Sequence, residues 1–369
     1  MKSIKLLVLT SLLTAGSLSM VSAVAAAEDS SGAVFVMNNA AVDNQIAAYA
    51  RQEDGALWPT GSYSTGGNGS GGTVDPLHSQ GSLLLSTDHR LLFAVNAGSG
   101  SISSFAVWGS HLSLVDTQSS GGSSPTAIAQ DGELLYVLNA GGNGNVSGFH
   151  VGENGRLWPI ENSTRNLSGT ATSPTSIAFS PDRRFLVVTE SATNNIDVFR
   201  VHEDGTLSAI TVNASADTVP FAPVFAPDGA LIVASASNAV SSYWILPNQT
   251  LKVISASLPT LGKATCWDVI TRHGRLVYTS NAGSSSISGF KIWPNGSLSP
   301  IGATVVASNP AGSTNLDIAA SANGKYVYTL NTGTGAIGEF SVESDGALSG
   351  IGAVDGLPAS AGLNGIAAY

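Results

Sequence analysis

Apolar residues in this chain fall into short runs separated by small polar turns. One stretch shows the pattern clearly. Pro174-Thr-Ser-Ile-Ala-Phe-Ser180 is a first run, Pro181-Asp-Arg-Arg184 a turn, and Phe185-Leu-Val-Val-Thr189 a second run rich in β-branched residues. A turn at 191–195 leads to Ile196-Asp-Val-Phe-Arg-Val201; the polar turn Glu203-Asp-Gly205 follows, and Leu207-Ser-Ala-Ile210 closes the unit. Runs this short, joined by Gly, Pro, Asn and Asp, predict an antiparallel meander of four strands. Beyond residue 27 no stretch has a helical period of useful length.

The unit repeats seven times. Its marker is an aromatic residue at Tyr49, Phe105, Phe149, Phe199, Tyr243, Phe290 and Phe340. An Ile or Val precedes each by three positions: Ile46, Ile102, Val146, Ile196, Val240, Ile287 and Ile337. A Leu follows each in the next turn: Leu57, Leu112, Leu157, Leu207, Leu251, Leu298 and Leu348. Self-similarity about fifty residues apart marks a repeat architecture. An odd spacing in a strand puts the two members of each Ile-x-x-Phe pair on opposite faces. A sheet apolar on both faces must be covered on both, and stacking like sheets around an axis does this. The expected fold is therefore all-β: a seven-bladed β-propeller of four-stranded antiparallel blades. The first copy begins at a second strand, Ala33-Val-Phe-Val-Met-Asn38, while Asn364-Gly-Ile-Ala-Ala-Tyr369 matches a first strand with nothing after it. The C-terminal strand is thus expected to complete the first blade and close the ring, removing two open sheet edges.

Composition changes the picture at the N-terminus. Lys2 and Lys5 precede an interrupted apolar run from Leu6 to Val21, and small residues follow from Ala23 to Ala27. This reads as a signal peptide over residues 1–27, too short and broken to span a bilayer comfortably, leaving residues 28–369 as a single propeller domain. The expected location is secreted or periplasmic, without membrane insertion. A net charge of −10 and no cluster of Lys or Arg exclude a nucleic-acid binder. Cys266 is the single cysteine, so no internal disulfide forms; no His stands beside it, and it reads as a small buried hydrophobe.

Candidate chemistry follows from the geometry of such a ring. Inner strands line a channel, and one mouth is formed by the loops that lead into them. Those loops are long and rich in Gly and Ser, at 66–72, 119–124, 166–173 and 308–314, whereas the opposite mouth carries tight turns such as Pro181-Asp182 and Pro227-Asp228. The end of the second strand is Asn38, Asn96, Asn139, Asn281 or Asn331 in five copies, Ala236 in the fifth and Glu190 in the fourth. Turn-forming chemistry accounts for the Asn residues. Glu190 breaks the rule, and departures from a repeat are where function is added. Glu190 is accordingly the candidate catalytic residue. Candidates for substrate binding are Lys263, Arg165 and His78 in the leading loops, Asp268 and Asp317 in channel strands, and Asn139 in the ring of amides. The plainer reading of each charge is a solvated loop residue. His89 and His273 fall in tight turns, His111, His150 and His202 near strand ends, and none has metal-ligand spacing. No nucleophile elbow, phosphate loop or dinucleotide fingerprint occurs in a fitting context.

The segment Pro174-x-x-Ile-Ala-Phe-Ser-Pro-Asp182, then Phe185-Leu-Val-Val, then Asp204-Gly-x-Leu207, resembles the seven-bladed lactonase family, which includes 6-phosphogluconolactonase-like proteins and 3-carboxymuconate cyclases. The resemblance covers essentially the whole chain after the signal peptide. It implies a lactonase-type hydrolase or lactonising cyclase acting on a small-molecule lactone or organic acid. The family's blade has Gly-Pro-Arg-His where this chain has Ser173-Pro174-Thr175-Ser176, and paired histidines where it has Ser124-Pro-Thr-Ala127. The acidic residue after the second strand is kept as Glu190. Glu190 would then act as general base or acid on a lactone of a sugar acid or muconate-type acid, with Lys263 or Arg165 holding the substrate anion. No cofactor is required. A second version gathers Ca²⁺ on Glu190, a channel Asp and amide oxygens. The alternative is a secreted propeller that binds a protein or glycan partner and catalyses nothing.

Overall fold

A computed structural model describes residues 32–271 and 274–369. The signal-peptide residues and His273 lie outside the described residues. Seven antiparallel sheets succeed one another along the chain, each a blade. Their inner strands are Ile366–Ala368, Leu83–Leu85, Pro125–Asp131, Pro174–Phe179, Pro220–Phe225, Thr265–Thr271 and Asn315–Ala320, for blades one to seven. A 3-10 turn at Ala282–Ser284 is the only helical element among the described residues.

The Ile-x-x-Phe rule holds at the level of packing. Ile196 lies in a core cluster with Leu231, Val233 and Tyr243 of the fifth blade, while Phe199 joins Ala127 and Leu138 of the third. Ile337 packs with Val34 and Tyr49 of the first blade, and Phe340 with Tyr278 and Ile287 of the sixth. Each pair therefore stitches its blade to both neighbours, and truncating one aromatic, such as the fully buried Phe105, costs about 3–5 kcal/mol.

Ring closure is built from side chains as well as from the sheet. Ile366–Ala368 pairs antiparallel with Val34–Val36. Asp317 of the seventh blade accepts the Ile366 amide at 3.2 Å, and Asn364 is tied to Ser82 at 2.8 Å and Asp75 at 3.0 Å. Gly365 has φ +92, and a Cβ there would lie 2.6 Å from Ser82 Oγ, so the strand needs glycine to enter. The terminal Tyr369 donates its hydroxyl to Gly109 of the second blade at 2.9 Å and stacks on His89.

Two details depart from the expected strand plan. The outer strand of the fourth blade lies at Thr211–Ala214, and Leu207 makes only an isolated bridge to Val201. There the Arg200 amide is taken by side chains instead of a backbone carbonyl, by Ser208 Oγ at 3.0 Å and by Gln249 Oε1 of the fifth blade at 2.9 Å. In the fifth blade the register pairs Pro220 with Ser235, as it pairs Pro174 with Glu190. Ser235, not Ala236, is thus the counterpart of Glu190, because that strand turns one residue earlier.

Candidate functional site

The channel is not open. The segment 75–82, which leads into the second blade, crosses it. Ser79 Oγ donates to the Thr126 carbonyl of the third blade at 2.8 Å, and the Ser79 carbonyl accepts Trp267 Nε1 of the sixth at 3.0 Å. The Gln80 amide N–H reaches Thr175 of the fourth blade at 3.1 Å. Its side chain bonds both the N–H and the carbonyl of Asp268, at 2.9 and 2.6 Å. Ser176 Oγ donates to the Gln80 carbonyl at 2.9 Å, and the Ile128 amide to that of Gly81. Inner strands leave backbone groups unpaired on their channel side, and such groups must find partners if water is excluded. Residues 79–81 supply those partners from three blades at once.

On the wide-loop side this plug presents His78 and Asp75. Both adopt positive φ, +49 and +40, which turns the chain sharply beside Pro76. The imidazole edge meets the ring of Phe221 at 5.0 Å between centroids, and Phe221 meets Trp267 at 5.2 Å. His78 Nε2 lies 3.3 Å from Ser191 Oγ, in the turn after the second strand of the fourth blade. Ser191 Oγ donates its own proton to the Ser173 carbonyl at 2.9 Å. Its lone pair therefore faces Nε2, which must carry the ring proton, and Nδ1 is left basic. Nδ1 lies 3.8 Å from Asp75 Oδ2. Burial pushes the Asp75 carboxyl up to about 7, against hydrogen bonds from Asn364 and the Ser79 and His78 amides. Burial also lowers the His78 pKa, so the ring is neutral at pH 7 although half of its side chain is exposed. Two groups that exchange protons near neutrality thus sit side by side at the floor of the wide mouth.

Glu190 is placed otherwise. It is fully buried, and its carboxylate accepts the Ser168 amide at 3.0 Å, Ser168 Oγ, and Thr193 Oγ1 at 2.6 Å. It also meets Asp197 of the adjacent strand. The corresponding positions in blades two and six hold an Asn–Ser pair: Asn96 Nδ2 donates to Ser103 Oγ at 2.8 Å, and Asn281 Nδ2 to Ser288 Oγ at 2.9 Å. In the fourth blade two carboxyls replace the amide and hydroxyl, and they coexist by sharing a proton. Burial and the Glu190 charge raise Asp197 to about 9. Burial works to raise Glu190 too, but donors from Asp197, Ser168 and Thr193 outweigh it and hold its pKa below the ordinary carboxylate range.

The other sequence candidates are dispersed. Arg165 is on a short outer strand of the third blade, with Nε bound to the Leu207 carbonyl at 2.9 Å and Nη1 to Asn162 and Thr164. Asn139 is buried and donates to the Ser120 carbonyl and to Asn145. Asp317 braces the closing strand, and burial pushes its carboxyl up to about 8. Asp268 is wholly enclosed; burial raises its carboxyl far above the usual range, with only the Ala234 amide of the fifth blade working against it. Lys263 is exposed in the loop leading into the sixth blade, on the same mouth as His78. Cys266 is buried, and burial pushes its thiol up, so it stays a thiol. No three His, Cys, Asp or Glu side chains among the described residues are placed to hold a metal ion. Sequence reasoning singled out His78 and Glu190 but not their partners Asp75, Ser191 and Asp197. Asp197 carried a visible signal, since it is an acid where other blades have Ser103, Ser147, Ser241 and Ser288.

Residues 144–266, from the outer half of the third blade to the start of the sixth, match the family described as lactonase, 7-bladed beta-propeller. The plug lies outside that segment. No curated protein matches the chain. Solved structures share the fold at low identity. A protein of Bacteroides uniformis put forward as a 6-phosphogluconolactonase aligns with TM-score 0.72 and 20% identity over 92% of this chain and 99% of its own. The periplasmic gluconolactonase of Pseudomonas aeruginosa aligns with TM-score 0.71 and 17% identity over 91% and 98%. A Lactobacillus plantarum protein gives 0.72 and 17% over 92% and 98%.

Proposed function

We propose that this chain, a lactonase-like seven-bladed propeller, opens a sugar-acid lactone at its wide mouth, with His78 and Asp75 as the proton-transfer pair. The observation that carries this reading is the hydrogen bond chain Ser173, Ser191, His78, which leaves Nδ1 basic and beside Asp75. A water at the mouth gives one proton to His78 Nδ1 as its oxygen bonds to the lactone carbonyl carbon. The tetrahedral intermediate collapses, the ring C–O bond breaks, and the departing alkoxide takes the proton of Asp75. The imidazolium then passes its proton to Asp75, and both groups are restored. Run backwards, the same steps close a lactone. Phe221 and Trp267, both buried, back the His78 ring from beneath and hold it at the mouth. Lys263 is the one cation of the described leading loops that is not committed to backbone carbonyls, so it would hold a substrate carboxylate. A single cation on an acidic chain favours an unphosphorylated lactone over a phosphorylated one. Glu190 positions Ser191 from behind by fixing Ser168 and Thr193. Export by residues 1–27 belongs to the same proposal.

Proton release from a panel of aldonolactones and muconolactones tests it. His78→Gln keeps the donor that meets Ser191 and removes the basic nitrogen. It should lower kcat/KM by about a hundredfold or more, while Glu190→Gln should act mainly through a rise in KM. The wild-type pH profile should be bell-shaped, rising through the lowered pKa of His78 and falling through the Asp75 value of about 7. No turnover of any lactone, or a His78→Gln enzyme as active as wild type, would contradict the assignment.

A further inference from the structure

The segment that closes the ring also reaches the proton-transfer pair. Residues 362–364 lie against the stretch that leads into the plug. The Gly362 amide donates to the Thr73 carbonyl at 3.2 Å, and Asn39 Nδ2 donates to the Gly362 carbonyl at 3.3 Å. The Asn364 amide N–H bonds the Met37 carbonyl of the first blade at 3.2 Å. With its backbone fixed there, the Asn364 side chain is buried. Its Oδ1 accepts from Ser82 Oγ at 2.8 Å, and its Nδ2 donates to Asp75 Oδ1 at 3.0 Å. A hydroxyl can give or take a hydrogen bond, whereas a carboxylate can only accept, so the NH2 belongs on the Asp75 side.

The two oxygens of Asp75 are then unlike. Oδ1 takes the Asn364 donor, while Oδ2 lies 3.8 Å from His78 Nδ1. In a protonated carboxyl the carbonyl oxygen is the better acceptor, so a fixed donor on Oδ1 leaves the proton to Oδ2. The other ionisable groups that feel the Asp75 charge are Cys266 and Asp317. Cys266 stays a thiol, and the two oxygens of Asp317 take the Ile318 and Ile366 amides. Neither competes for the Asp75 proton.

We propose that Asn364 is a positioning residue for this pair: by holding Oδ1, it sets the transferable proton of Asp75 on Oδ2, on the side of His78. The inference rests on the reading of His78 and Asp75 as the groups that exchange protons. It makes the ring-closing segment part of the reactive centre.

Carboxyl ¹³C and imidazole ¹⁵N resonances of the full chain, followed through pH, read this placement without substrate; Asp75→Asn assigns the carboxyl signal. In the wild type the His78 Nδ1 resonance should shift as Asp75 titrates near pH 7. Asn364→Leu keeps the backbone bond to Met37 and removes the donor. The Asp75 midpoint should then rise by about one pH unit, for loss of a hydrogen bond to the charged form. The Nδ1 response should shrink about twofold, as the proton divides between the two oxygens. Ser82→Ala frees the Asn364 amide to turn; it should move both readings the same way by less, and it decides the matter if the leucine variant melts early. On a lactone that is turned over, Asn364→Leu should lower kcat about tenfold with little change in KM, and carry the alkaline limb of the pH profile upward with Asp75. Absence of turnover with the resonances as expected would strike the lactone reading alone. An Asp75 midpoint unmoved in both variants, or a wild-type Nδ1 resonance blind to Asp75, would overturn the role of Asn364.

Discussion

The two mouths of the channel are made from opposite ends of the same inner strands, yet they differ in kind. The wide mouth is floored by an inserted segment that carries His78 and Asp75, two groups poised to exchange protons near neutrality. The tight-turn mouth is floored by the other side of that segment and walled by strand ends such as Phe179, Val224 and Ile270. The repeat itself supplies only those strand ends. Reactive groups enter where the repeat is interrupted, by a long leading loop that turns inward instead of lying on the surface. A regular ring thus gives rigidity and an axis, and one irregular segment gives the axis a chemistry.

The largest effect that sharpens this contrast comes from the clasp. Removing residues 364–369 takes away Ile366 and Ala367 from the first blade and Asn364 from its bonds to Asp75 and Ser82. Melting should fall by roughly 10 °C or more, since several kcal/mol at about 2–4 °C per kcal/mol are lost. The wide mouth should suffer first, because Asn364 fixes Asp75 while the tight-turn end of the channel is lined by blades two to six. Equal melting of the shortened and full chains would break the account of a closed ring.

A smaller effect is read from pH. Asp317 and Asp197 hold protons up to about 8 and 9 in the folded chain, and burial keeps the Asp268 carboxyl well above the ordinary carboxylate value. The unfolded chain gives these protons up near pH 4. Their contribution to stability is therefore complete below about pH 4 and is lost as pH rises through the folded values. Glu190 has the opposite sign: its contribution is present above the ordinary carboxylate value and lost as pH falls through its lowered one. The melting temperature should be highest in mild acid and decline by several degrees between about pH 6 and pH 9.5. Asp197→Asn should flatten that decline, because the amide mimics the protonated acid beside Glu190. A wild-type curve that rises across this range would contradict the protonated pair.

Much of the ring was legible in the sequence, because opposite-face burial is a local rule that each strand obeys. Ile196 and Phe199 need only their own spacing to be assigned to two neighbouring blades. The clasp was legible for the same reason, as an unpaired first strand at 364–369. The plug was not. Nothing in Leu77-His-Ser-Gln80 distinguishes a loop that crosses the axis from one that covers the rim, since most of its partners are backbone groups of blades three, four and six. Glu190 was visible as an exception, but its direction was not, because only the structure brings Ser168 and Thr193 around it. Arg165 looked like a free loop cation and instead caps carbonyls at the outer edge. Ser235 was missed as the counterpart of Glu190 in the fifth blade by a single residue of register.

Hydrogen exchange at three backbone amides tests the plugged channel most directly. The amides of Gln80, Ile128 and Asp268 bond to the Thr175 carbonyl, the Gly81 carbonyl and Gln80 Oε1, all across the axis. With residues 79–81 seated there, all three should exchange as slowly as the amides of second strands such as Phe185–Glu190. Exchange of the Ile128 and Asp268 amides within seconds, as for groups facing open water, would show a hollow channel and remove the floor on which His78 stands.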